Sequence, residues 1–556
     1  MSRDGDFDVR PVELSAGEEP GAEGVTAAAE TRSRLARSTA FFSFATGLSR
    51  IAGLVREIVA ASFFGITPQM SAFTTAFLVP NTVRSLFADA AIQAAFVPVF
   101  TEHLDKGNRR QAFQLASSMI FLVGLILGAL TAVLILAAPI IMPLFVTSGN
   151  ELVTDLTVGL SRVLFPILVL LGLTGMIVGI LNSYDRFGVF AISPFFWNLA
   201  IIAVMVGLVP AFPERDEIYA YAIGVLVGTV VQLALPLIDL RNTPFGIRRA
   251  LVAPFRGRVR EALRELDVRR VLLLMLPVTI SLGLINFNLL INNLVGYLVS
   301  DEAPAAIDKA FRIYMLPQGI FAVAISTVLF PTLARFATRR EFGELRATMA
   351  SGMRQIVLLL MPATAAILVL SEPMIRLVYE RGVFGPGDTE VVSTALFWFA
   401  FALPFNGLFL LLTRTFFSLQ RPWVPTAISG VNLVITAVSA LLLYRPFGVA
   451  GIVAATAIAT AVSVGLQAGI LRNLLGRLEL GRLIVSTLVV GVGSVALAAT
   501  SLVVWTVLDD ILGRALLAQV ISLSFALGAG FAAYAGSIAF VGLPEATNFV
   551  RLLRRR

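Results

Sequence analysis

From residue 38 to residue 541 this chain of 556 residues is a succession of apolar runs, each about twenty residues or longer, joined by short polar connections. A run of that length crosses the roughly 30 Å hydrocarbon core of a bilayer as a helix. With no water in the core to satisfy the backbone, a spanning segment must close its own hydrogen bonds. Fourteen such runs are legible, near 38–64, 72–101, 114–145, 156–182, 188–210, 218–238, 271–299, 308–334, 355–378, 391–417, 423–443, 448–473, 483–507 and 512–541. The expected fold class is therefore all-α and polytopic, with fourteen transmembrane helices. Only 14% of residues are charged, against about 25% in soluble domains. Pro80, Pro98, Pro139, Pro166, Pro317 and Pro404 fall inside the runs, and predict either kinked helices around a cavity or pairs of shorter helices.

The same composition narrows function. There is no cysteine and only one histidine, His103, which leaves no material for thiolate sites and little for zinc or Ser-His chemistry. No enzymatic activity, metal, cofactor or nucleic-acid partner is expected. Residues 1–37 carry Asp4, Asp6, Asp8, Glu13, Glu18, Glu19, Glu23 and Glu30 among Gly, Pro and Ala. They read as a disordered acidic tail, without the order of a cleavable signal.

Basic residues in the connections set the orientation. With the N-terminus inside, one side receives twenty-nine, including Arg109 and Arg110, nine arginines between Arg241 and Arg270, Arg339 and Arg340, and four in the 542–556 tail. The other side receives five: Arg215, Lys309, Arg381, Arg445 and Arg514. Both termini are expected in the cytoplasm. The 241–270 connection sets Leu251, Val252, Val259, Leu263 and Leu266 among its arginines and reads as a basic amphipathic helix on the inner leaflet.

The chain also repeats weakly at a spacing of about 235 residues. "FVPVF" at 96–100 precedes Arg109-Arg110, and "LFPTL" at 329–333 precedes Arg339-Arg340. "NSYDRFGVFAISPFFWN" at 182–198 resembles "FSLQRPWVPTAISGVN" at 417–432. Six spans per repeat is an even number, so the halves keep one orientation. They are expected to be related by a pseudo-two-fold along the membrane normal, an arrangement typical of transporters with substrate between the halves.

Against this background some charges stand out. Arg50 lies about 18 Å into the first span at 1.5 Å per residue, near the midplane. Arg56 lies about 27 Å in, where snorkelling to the outer boundary accounts for it equally well. Arg50, Gly53 and Glu57 share a helical face, whereas Arg56 is turned about 120° from Arg50. Arg84 and Asp89 lie in the second span and Arg312 in the eighth; the two spans correspond in the repeat. Arg162 and Arg414, nearer span ends, read as structural. Several arginines with few acids at depth point to an anion, and guanidinium forks suit phosphate. The residues alone thus describe a carrier of a phosphate-bearing substrate, lipid-linked ones included, in contact with membrane lipids.

"SRIAGLVREIVAASFFG", "AFLVPNTVRSLFADAAIQAAFVPVF", "GILNSYDRFGVFAISPFFWN", "AFRIYMLPQGIFAVAISTVLFPTLAR" and "YERGVFGPGDT" resemble, in order and spacing, the MurJ (MviN) lipid II flippases of the multidrug/oligosaccharidyl-lipid/polysaccharide exporter superfamily. The resemblance implies an N-lobe at 38–240, a linker at 241–270, a C-lobe at 271–475 and a final helix pair at 482–541 beside a lipid-tail groove. It implies movement of the undecaprenyl-pyrophosphate-linked peptidoglycan precursor, lipid II, to the outer leaflet of the bacterial plasma (inner) membrane by alternating access. Its substrate-binding arginines fall on Arg50, Arg56, Arg84 and Arg312, with Glu57, Asn182 and Asn198 as supporting positions. Cell-wall synthesis proteins are then candidate partners. The chain departs from many relatives at Glu57 (Asp), from some at Ser71 (Asp), and at Phe311 from an acid often found there, and the seventh and eleventh spans hold no carboxylate set for sodium. Exporting a headgroup of charge near −2 through 100 mV gains roughly 4–5 kcal/mol, so the membrane potential is one expected driving force. The alternatives are an exporter of another lipid-linked polysaccharide unit and a cell-wall scaffold that transports nothing.

Overall fold

The computed structural model describes residues 44–541 apart from 88–90, 187, 258 and 477–479; the acidic segment 1–37 and the 542–556 tail lie outside the described residues. Every described element is a helix. The first, α1, covers 44–64. There follow α2 (Pro68–Phe87), α3 (Ala91–Asp105), α4 (Arg109–Ile141), α5 (Glu151–Leu164), α6 (Ile167–Asn182), α7 (Gly188–Leu208) and α8 (Ile218–Asp239). Two short helices, α9 (Ile247–Arg256) and α10 (Val259–Arg264), lead to α11 (Leu266–Gly296), α12 (Ala303–Pro317) and α13 (Val323–Thr338). The chain ends with α14 (Phe342–Tyr379), α15 (Pro386–Ser418), α16 (Trp423–Leu475), α17 (Leu480–Leu512) and α18 (Leu516–Val541). Among the described residues, ten helical stretches are long and apolar enough to cross a membrane. Large apolar side chains such as Leu136, Val328, Leu442, Val492 and Phe525 are exposed, as a lipid-facing surface requires.

The 53-residue α16 is not one rod. Asn432 Nδ2 donates to Ser463 Oγ at 3.0 Å across 31 positions, which a straight helix would hold about 46 Å apart. The chain reverses at Gly448, where φ is +56°, a region that glycine enters without a Cβ penalty. Just beyond it, Gly451 packs so tightly that a Cβ would stand 2.2 Å from the carbonyl oxygen of Leu443. The runs read at 423–443 and 448–473 are thus the two arms of a helical hairpin.

Prolines act unequally. Pro166 separates α5 from α6, and Pro317 is followed by a π turn at Gln318–Ala322. Pro80, Pro98, Pro139 and Pro404 stay inside continuous helices. The linker forms two helices rather than one, because the chain bends at Gly257, where a Cβ would lie 2.1 Å from the Phe121 ring. It is clamped to the first half at the arginine-rich end of the bundle. Ser118 Oγ donates to Glu265 Oε1 at 2.8 Å, His103 Nε2 lies 2.9 Å from Asp267 Oδ2, and Arg270 Nη1 donates to Glu102 Oε2 at 3.0 Å. Leu251, Phe255, Leu263 and Leu266 remain exposed.

The repeat reappears as local geometry. Asp185 and Gln420, 235 positions apart, both sit at φ 57°. The next residue in each turn, Arg186 or Arg421, donates its N–H back to Leu181 or Phe416, at 3.0 Å in both cases. Gly107 and Arg340, at φ 74° and 58°, close two further turns. There Asn108 donates to His103 and Glu341 to Phe336, each at 2.9 Å. Packing repeats with the turns. Asn198 of α7 reaches Ser49 O of α1 at 3.4 Å, and Asn432 of α16 accepts from Asn288 of α11 at 2.9 Å.

Gly451→Val should therefore destabilise the hairpin by about 1–3 kcal/mol, read as a lowered thermal midpoint in detergent. Gly465→Val, which meets nothing within 4 Å, should change it far less.

Candidate functional site

Helices α1 and α12 cross antiparallel. Glu57 of α1 meets Arg312 of α12, and seven residues on from Arg312, a Cβ on Gly319 would stand 3.5 Å from Nη1 of Arg50, seven residues before Glu57. Opposite directions along the two chains keep the steps matched. The crossing is ionic at its centre. Glu57 is 3% exposed; its Oε1 accepts from Arg56 Nη2 at 2.5 Å and lies 3.2 Å from Arg312 Nη1. Its Oε2 accepts from Lys309 Nζ at 3.1 Å. Asp308, one turn before Arg312, takes that guanidinium from the other side at 2.9 and 3.4 Å.

Three cations and two carboxylates leave this cluster one positive charge in excess. Arg56 is 8% exposed and stacks over Trp197 of α7, with its guanidinium carbon 4.8 Å from the ring centre. Its Nε is buried without a hydrogen-bond partner, so one donor of the fork remains unspent. Beside the cluster lies a cavity of about 450 Å³, lined by Arg56, Asp308 and Arg312 together with Asn81, Asn292 and Trp197. A buried Arg56 with a spare donor and a partly exposed Arg312, on the wall of one cavity, suit an anion with two or more oxygens.

The sequence-derived residues divide as follows. Arg56, Glu57 and Arg312 come together. Arg50 lies on the same helix crossing, with an exposed side chain outside the cavity lining. Asn198 supports α1: its Nδ2 reaches Pro194 O at 2.8 Å and Ser49 O, beside Gly53. Asn182 ends α6 at the arginine-rich end and does not line the cavity. Arg84 is on α2, but its side chain lies outside the described set, as does Asp89 altogether. Arg414 stacks on Phe330 at 5.3 Å, in keeping with a structural role.

Two expectations change. Arg56, for which snorkelling was an equal account, is buried inward, because Glu57 and Trp197 hold it there. Lys309, grouped by sequence with the connections of the sparsely charged side, is wholly buried, because its ammonium is spent on Glu57. Lys309 and Asp308 are the members of the site that sequence reasoning missed. Asp308 had a visible signal, four residues before Arg312 on a helix; Lys309 had none short of its partner 252 positions away.

The motif at 379–389 roofs the crossing. Val383 N–H donates to Ser62 O at 2.9 Å, and at Gly382, φ +63°, a Cβ would stand 2.2 Å from that oxygen. Near the far end of α11, by contrast, the polar contacts are neutral: Asn293 Nδ2 to Thr75 Oγ1 at 3.1 Å and Asn292 Nδ2 to Thr456 Oγ1 at 3.4 Å. Among the described residues no group of three His, Cys, Asp or Glu could hold a metal ion.

Comparison with known proteins agrees with this picture. A family model described as "Lipid II flippase MurJ" matches residues 60–525. A probable lipid II flippase MurJ of Rhizobium meliloti (strain 1021) is 32% identical, over 74% of this chain and 76% of its own. The lipid II flippase MurJ of Burkholderia cenocepacia is 29% identical, over 73% and 78%. Among solved structures, a lipid II flippase MurJ in an inward closed conformation superposes with a TM-score of 0.72 at 22% identity, over 90% of this chain and 99% of that one. An inward-facing multidrug resistance MATE family transporter of the MOP superfamily reaches 0.62 at 15% identity, over 78% and 95%.

Removing Glu57 should expose what the cluster costs. Glu57→Leu leaves Arg56 and Lys309 without their carboxylate and should destabilise the protein by about 3–5 kcal/mol, seen as a lowered thermal midpoint and reduced membrane level. Glu57→Asp should lose less, since the charge is kept.

Proposed function

The chain belongs to the MurJ family of lipid II flippases, and from that premise we propose that it carries lipid II from the inner to the outer leaflet of the bacterial inner membrane. The observation that carries this reading is the pair Arg56 and Arg312 on facing helices of one cavity, with a buried donor of Arg56 unspent. In this reading they hold the pyrophosphate, Arg50 and Arg84 receive or pass it on along the same path, and the prenyl tail stays in lipid. Glu57 keeps the arginines paired when the site is empty, and Asn198 holds α1 in place. No bond of the cargo is made or broken, so the protein needs positioned charge rather than acid–base catalysis.

The proposed architecture is fourteen spans: an N-lobe at 38–240, a C-lobe at 271–475 related to it by a pseudo-two-fold along the membrane normal, and a helix pair at 482–541. The repeated turns and the α16 hairpin support it. In this reading both termini and the 241–270 linker lie on the cytoplasmic side, as the bias of arginines in the connections favours, and cell-wall synthesis proteins are candidate partners. Alternating access then means that the α1–α12 crossing, nearer the outer side, parts when the lobes rock.

The test is outer-leaflet exposure of lipid II in cells depleted of their own flippase and supplied with this protein at matched membrane levels. The parent should restore exposure, while Arg56→Ala and Arg312→Ala should abolish it without loss of protein, since in either variant Glu57 keeps Lys309 and the other arginine as partners. Lysine at either position should fail as well, for want of a two-pronged fork. Equal rescue by the alanine variants would make the arginines structural and favour a scaffold. Collapsing the membrane potential alone should slow export; unchanged export would remove the potential as the driving force.

A further inference from the structure

Lys309 has no part in the reading above, and its geometry differs from that of the arginines around it. Arg56 and Arg312 share Oε1 of Glu57, and both line the cavity. Lys309 alone takes Oε2, at 3.1 Å, and is not among the residues that line the cavity. It has no exposed surface. Its ammonium lies 5.6 Å from the centre of the Tyr379 ring, and Tyr379 Oη donates to the Lys309 carbonyl at 3.5 Å, fixing this turn of α12 against α14. Glu57 is therefore held from two sides: on the cavity side by groups that an incoming anion can reach, on the wall side by one that it cannot.

That division matters when the site fills. A pyrophosphate can engage Arg56 and Arg312 fully only if Glu57 releases them. A buried carboxylate stripped of every partner is strongly unfavourable, so without another cation Glu57 would compete with the anion for the same two forks. We propose that Lys309 is a positioning residue that retains Glu57 while the pyrophosphate takes over Arg56 and Arg312. The proposal rests on the pyrophosphate reading of the arginines. With Lys309 in place, the exchange swaps one anion for another on the arginines and leaves no buried charge unpaired. No proton or covalent bond is moved.

The full chain, purified into nanodiscs, would be titrated with radiolabelled undecaprenyl pyrophosphate, with thermal midpoints measured alongside. Lys309→Met should weaken binding by about tenfold or more, and Lys309→Arg should bind like the parent. The double variant Glu57→Gln/Lys309→Met removes one charge of each sign and leaves no Glu57 carboxylate to compete for the arginines, while Asp308 keeps the same hold on Arg312 in every variant, so it should regain most of the lost affinity. If Lys309→Met binds as tightly as the parent while its midpoint falls, Lys309 is a packing residue and the proposal is overturned. It is overturned equally if the double variant is as weak as the single one. Arg312→Ala separates this from the broader reading: should it lose binding while Lys309→Met does not, only the role of Lys309 fails. Should Arg312→Ala bind normally, the arginines do not hold the pyrophosphate and both readings fail.

Discussion

One buried carboxylate, Glu57, is shared by three cations, and the approach of α1 to α12 depends on that sharing. On insertion scales a basic side chain at the centre of a spanning helix costs roughly 2.5–3.5 kcal/mol, and burying several without an anion would push the helices apart. Glu57 reverses the balance by reaching Arg56 on its own helix and Lys309 and Arg312 on the facing one. The neighbouring features fit the same crossing. Gly319 leaves room beside Arg50, Tyr379 packs on Lys309, and Gly382 brings the α14–α15 connection onto the end of α1.

Away from this crossing, the buried charges Arg376 and Asp239 each lie against a partner of opposite sign, Asp509 and Arg186, and the seam near the far end of α11 is neutral. The α11 contacts to α2 and α16 are amide and hydroxyl hydrogen bonds, which in membrane bundles average about 0.6 kcal/mol each. They give register at low cost and place no fixed charge along that seam. Among the described residues, the α1–α12 crossing gathers three cations on two carboxylates beside a cavity that two arginines line. A bundle organised in this way favours an anion at one depth rather than a cation path along its length.

The repeat in the sequence returns as matched local geometry. The turns closed at Asp185 and Gln420, and at Gly107 and Arg340, repeat the same reversal with the same backbone bonds. The asparagines Asn198 and Asn432 repeat the same packing of a later helix on an earlier one. The ion cluster departs from the repeat, because Glu57 and Lys309 come from helices that do not correspond. The site lies where two helices meet whose paired residues, Glu57 and Lys309, are 252 positions apart.

Much of the fold was legible because hydropathy and charge bias are local: the apolar runs, the arginine-rich connections and the break between 443 and 448 each lie within a few residues. Arg56, Glu57 and Arg312 were legible as charges where charges are expensive. Their grouping was only partly so. The sequence allowed Arg56 to face lipid headgroups, left Arg50 and Arg56 on different faces, and put Lys309 among surface residues. Helix rotation and register decide such matters, and they depend on packing against partners hundreds of residues away. By itself, then, the sequence determined a many-span helical protein, its repeat and the sign of its interior charge, since those follow from the cost of transfer into lipid. Only the tertiary structure decided that Glu57 would pair with Lys309 and Arg312, because that pairing exists only when two antiparallel helices present the right turns to each other.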